Sequence, residues 1–93
     1  MKLTISGHVS GMAGQSLSYS ATITSGKKAR TVEDGHFPEF LYKVMTGIDE
    51  ARRTDRSPVE LRFRDPDYAI KDDDKGRIIR KYVKLLNASL TEI

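Results

Sequence analysis

The sequence predicts an α+β fold: one sheet of three to four strands with helices on one face, in the order β-β-β-α-β-α. Three observations predict it. Residues 2–9 and 17–24 alternate apolar and polar side chains at period two, the mark of half-buried strands. Apolar residues over 37–51 and 78–86 recur at three and four, the mark of helices with one buried stripe. The 93 residues are enough for one hydrophobic core and too few for two, so a single domain over 1–93 is expected.

In the first strand Leu3, Ile5, Gly7 and Val9 share one face and Lys2, Thr4, Ser6 and His8 the other. A turn-like stretch, Gly11-Met12-Ala13-Gly14-Gln15, leads to the second, where Leu17, Tyr19, Ala21 and Ile23 oppose Ser18, Ser20, Thr22 and Thr24. Ser25-Gly26-Lys27 reads as a tight hairpin, because glycine supplies the positive φ such turns need. Residues 28–32 return as a shorter third strand, and residues 33–36 read as a loop. Phe37, Phe40, Leu41, Val44, Ile48 and Ala51 form the stripe of the first helix. Pro38 suits its first turn, and Gly47 in its interior points to close packing against the sheet. Val59, Leu61 and Phe63 alternate with Glu60, Arg62 and Arg64 in a fourth strand that Asp65-Pro66 closes. The carboxylates of Asp72, Asp73 and Asp74 complement the N-terminal dipole of a last helix. Its apolar stripe is Ile78, Ile79, Tyr82, Val83 and Leu86, opposite Arg77, Arg80, Lys81 and Lys84. Since every strand has one apolar and one polar face, helices should cover one side of the sheet and leave the other wet or free for binding.

Composition removes several classes of function. The chain has no cysteine, hence no disulfide framework, thiolate zinc site or thiol nucleophile, which suits a reducing cytoplasm. It is 38% hydrophobic and 31% charged, with no apolar run long enough for a membrane span or signal peptide. No P-loop, dinucleotide fingerprint, His-Glu-x-x-His zinc site or EF-hand string occurs. With only His8 and His36 and no nucleophile elbow, a serine triad is not indicated. The net charge of +3 is unevenly spread: five basic and five acidic residues up to position 50, eleven basic and eight acidic after it. An excess of cations in the second half favours an anionic partner, nucleic acid or an acidic protein surface.

Four strings, Ile5-Ser6-Gly7-His8, Met12-Ala13-Gly14, His36-Phe37-Pro38-Glu39-Phe40-Leu41 and Arg64-Asp65-Pro66-Asp67-Tyr68-Ala69, together with the element order, resemble the RNase H fold over residues 2 to about 86. The resemblance implies a site in which two divalent metals, magnesium or manganese, sit on carboxylates at strand and helix ends and clamp a phosphodiester. Glu39 and Asp65 match two ligands; were the first and fourth strands side by side, His8 and Asp67 would join them in a mixed metal or acid/base cluster, with Asp67 partly replacing the missing aspartate. Ser6 occupies the position of the family's first aspartate, and residue 93 precedes the family's last strand, terminal helix and final acidic ligand. A hydroxyl replaces a carboxylate poorly for a hard cation. The resemblance therefore points first to a non-catalytic RNase H-like binding domain with no cofactor, in a regulatory or accessory role. Two alternatives stand beside it: a minimal metal-dependent nuclease using Glu39, Asp65 and Asp67, and an inhibitor that binds an acidic protein surface.

Binding would fall to the cations. Arg62 and Arg64 leave the fourth strand on the same face as Glu60, while Arg77, Arg80, Lys81 and Lys84 stripe the last helix. Were these to adjoin Lys27, Lys28 and Arg30 at the hairpin, they would make a track that neutralises phosphates and releases counterions. No aromatic residue is interleaved among the strand arginines, so a base-stacking platform is not expected.

Overall fold

The computed structural model describes residues 1–10, 16–64 and 74–91; Asp65, Asp67, Asp72, Asp73 and the whole turn-like stretch 11–15 lie outside them. Four strands and two helices follow in the expected order: β1 (Lys2–Ser10), β2 (Ser16–Ser25), β3 (Lys28–Asp34), α1 (Phe37–Arg52), β4 (Glu60–Phe63) and α2 (Asp74–Thr91). The strands form one mixed sheet in the order β3-β2-β1-β4. β1 pairs antiparallel with β2 and parallel with β4, and β2 pairs antiparallel with β3.

Alternation decides which side of the sheet is dry. Leu3 and Ile5 of β1 and Tyr19, Ala21 and Ile23 of β2 are buried in one cluster with Phe40, Val44 and Ile48 of α1, Ile79 and Val83 of α2, and Val59. Both helices thus rest on the same face. Tyr19 anchors the start of α1, its ring 5.6 Å from Phe37, edge on, and 5.5 Å from Phe40. Full burial of a side chain such as Phe40 contributes roughly 1.5–3 kcal/mol, and the spacing of Phe40, Val44 and Ile48 gives α1 three such anchors on one stripe. The opposite face carries Thr4, Ser6, Ser20, Thr22 and Thr31, with no helix over it among the described residues.

Gly26 holds φ at 61° in the β2–β3 turn, as a two-residue hairpin requires. Gly47 has the packing reason expected of it: a β-carbon there would stand 2.6 Å from Cδ1 of Ile23. Two expectations are corrected. Glu33 and Asp34 are strand rather than loop, because they pair with Ser20 and Tyr19 and so extend β3 to the full length of its neighbour's second half. Ile78 is 46% exposed rather than part of the buried stripe; the core side of α2 turns instead toward Gly76, Ile79 and Val83. No helix among the described residues is long and apolar enough to cross a membrane.

Candidate functional site: cations around the β4 edge

β4 joins the sheet as an outer strand because its even-numbered residues turn their backbone groups to β1. Glu60 donates its N–H to the Met1 carbonyl at 2.8 Å and Arg64 donates to Ile5 at 2.7 Å. The register sets Arg62 beside Thr4, and Thr4 beside Thr22 and then Thr31. Arg62 therefore heads a row of hydroxyls on the open face, where Thr22 and Thr31 touch at 3.3 Å between their Oγ1 atoms. Arg62 also pairs with Glu60 at 3.1 Å, an exposed contact of small energy.

On the other side of the same strand, the Arg80 guanidinium of α2 lies 5.0 Å from the ring centroid of Phe63, a cation–π contact that fixes α2 over β4. Cations thus flank β4 from both sides: Arg62 and the exposed Arg64 from the open face, Arg80 from the helix face. Arg77, Lys81 and Lys84 continue outward along α2 and are exposed. Arg77 pairs weakly with Asp74 at 3.7 Å. Among the described residues, no carboxylate lies at ion-pair distance from Arg64, Arg80, Lys81 or Lys84.

The hairpin cations belong elsewhere. Lys28 and Arg30 are on β3, at the far edge of the sheet from β4, and Arg30 is ion-paired with Glu50 of α1. They line a groove of about 490 Å³ with Ile23, Gly47 and Thr54. A single track through all three basic sets is therefore not formed by the sheet; the last helix and β4 share one edge and the hairpin occupies the other.

Of the candidate metal ligands, Glu39 sits in the first turn of α1 and is exposed. It is four residues ahead of Lys43, which reaches Asp34 of β3 at 3.1 Å, so Glu39 shares the β3 flank of the helix. Ser6 lies on the open face of β1, next to the end of β4. Among the described residues no three His, Asp or Glu side chains gather as metal ligands, and Glu39 and Ser6 by themselves do not fit a hard-cation site.

Two polar anchors had no sequence signal. Asn87 of α2 binds both backbone groups of Val59, and Asp55 accepts hydroxyls from Ser25 and Ser57. Tertiary approach of distant segments brings Asn87 to Val59 and Ser25 to Asp55, whereas the Ser57 contacts of Asp55 are those of a local turn.

Comparison of the chain with protein-family models, with curated proteins and with solved structures finds no match.

Proposed function

We propose that this chain is a non-catalytic, RNase H-like binding domain that grips the phosphates of a nucleic acid with the cations around β4 and α2, in an accessory role. The observation that carries it is the arrangement of Arg64, Arg80, Lys81 and Lys84 along one edge, with no carboxylate among the described residues to neutralise them. Support for the family reading is the β-β-β-α-β-α order and the placing of β1 beside β4. The adjoining hydroxyl row of Thr4, Thr22 and Thr31 is suited to phosphate and sugar contacts, which position a nucleic acid without reading its bases.

The test is fluorescence anisotropy of a labelled RNA–DNA hybrid and a single strand at about 50 and about 200 mM salt. Affinity should fall steeply with salt, and Lys81→Glu with Lys84→Glu should weaken binding at least about tenfold and flatten the salt slope by roughly two. Absence of binding at the lower salt would reject nucleic acid and leave the same cationic edge to an acidic protein surface.

A further inference from the structure

The two edges of the sheet differ in how they end. β4 is four residues long, and the residue before it, Val59, has its N–H and C=O occupied by the Asn87 carboxamide. β3 is seven residues long and exposed at Lys28, Ala29, Arg30, Thr31 and Glu33. The two-residue turn after Ser25 makes Ser25 and Lys28 a hydrogen-bonded pair. Alternation then turns the backbone groups of Arg30, Val32 and Asp34 toward β2 and those of Ala29, Thr31 and Glu33 outward.

These outward groups are symmetric about Thr31, the middle residue of the strand. Charge of opposite sign lies on its two sides: Lys28 and Arg30 precede Thr31, Glu33 and Asp34 follow it, and of these Lys28 and Asp34 are mirror positions. We propose that β3 is a self-complementary edge through which two copies of this chain pair antiparallel about a two-fold axis at Thr31. In that register Lys28 faces the partner's Asp34 and Ala29 faces the partner's Glu33. Ala29, Thr31 and Glu33 then exchange backbone hydrogen bonds with the partner's Glu33, Thr31 and Ala29. Sliding the register by two residues one way sets Arg30 against the partner's Arg30; sliding it the other way takes Lys28 beyond the partner's strand and offers the partner's Asp34 to Arg30, which Glu50 already holds. A parallel strand of the same sequence would set like charges side by side, and like charges opposite one another destabilise a sheet. Charge thus disfavours the parallel orientation and the register centred on Arg30.

The neighbourhood fits an added strand. A groove of about 420 Å³ runs beside β3, lined by Arg30, Thr31, Val32, Tyr42, Lys43 and Thr46, and Tyr42 stands 71% exposed on α1 above it. Pairing would place the two α1 helices on the same face of one eight-stranded sheet and bring Tyr42 against the partner molecule. Lys43 donates to the Glu33 carbonyl at 3.0 Å; that oxygen keeps a second lone pair for the partner's Ala29 N–H. Edge strands are ordinarily guarded by charge against foreign pairing. Here the same charges admit an antiparallel copy of the strand and repel a parallel one.

The experiment is sedimentation equilibrium of the full chain up to about 1 mM, with amide exchange followed by NMR over the same range. A monomer–dimer equilibrium is expected, with exchange at Ala29, Thr31 and Glu33 slowing as concentration rises. Thr31→Pro should abolish it while leaving the circular dichroism and melting temperature of the monomer in place, because that N–H has no partner within the sheet. Lys28→Glu should raise the dimer Kd roughly tenfold or more. A wild-type chain that stays monomeric at every concentration overturns the proposal, as does a dimer that Thr31→Pro and Lys28→Glu leave unchanged.

Discussion

Asn87 grips Val59 by both of its backbone groups: the Val59 N–H donates to Oδ1 at 2.8 Å, and Nδ2 donates to the Val59 carbonyl at 3.1 Å. One carboxamide thereby imitates the ladder that a neighbouring strand would make, and ties α2 to the entrance of β4. Asn87→Ala leaves two partly buried backbone groups without this partner and should cost about 1–3 kcal/mol in urea denaturation. Asn87→Asp keeps an acceptor for the Val59 N–H and faces the Val59 carbonyl with a negative charge, so it should not recover wild-type stability. Both variants falling within about 0.5 kcal/mol of wild type would show that the contact is incidental.

Gly47→Ala tests the closest approach of α1 to the sheet. On helix propensity alone alanine should stabilise by roughly 1 kcal/mol. The 2.6 Å approach of Ile23 Cδ1 to the site of the new β-carbon opposes this, because overpacking a filled core commonly costs about 1–3 kcal/mol. Net destabilisation is expected. Pairing the change with Ile23→Val, which removes that methyl, should recover part of the loss; a more stable Gly47→Ala single variant would show that the Ile23 side chain moves aside freely.

Acid should loosen the joint between the β2–β3 hairpin and the segment after α1. The Ser57 hydroxyl, then the Ser25 hydroxyl and the Ser57 N–H, hold the Asp55 carboxyl well below the usual carboxylate range. In the unfolded chain, free of these donors, Asp55 takes up a proton at higher pH. Stability from this group is therefore fully present above about pH 4 and is lost as pH falls through the depressed native value. Asp34 is also lowered, first by the His36 N–H and next by Lys43, and acts in the same direction. A stability profile from pH 7 downward should fall less steeply for Asp55→Asn than for wild type; parallel profiles would exclude Asp55 from the acid response.

Much of the architecture was legible because side-chain period is a local property. The alternation of β2 and the stripe of Phe40, Val44 and Ile48 needed no partner to be recognised, and they gave the sheet its dry face. β3 was shortened at Val32 because Glu33 and Asp34 are poor strand formers alone; pairing with Ser20 and Tyr19 overrides that preference. Ile78 looked buried because hydropathy ignores how the helix is rolled against the sheet. Arg80 is exposed, as its place opposite the apolar stripe implies, and its guanidinium also rests on Phe63, a contact that strand order supplies. The split of the basic residues between two edges depends on strand order, which period alone does not encode, and Asp65 and Asp67 lie outside the described residues.

The seat of β4 beside β1 has a temporal meaning. β1, β2 and β3 follow one another in sequence and in space, and loops between such neighbours close at small entropic cost. β4 is the exception: the carbonyls of Met1 and Ile5 wait for donors nearly sixty positions away. During synthesis one side of β1 is a vacant template until the chain has grown past residue 64. The meander is thus the part that chain order lets close first, and the seam between β1 and β4 is the pairing in the sheet that spans the longest stretch of chain.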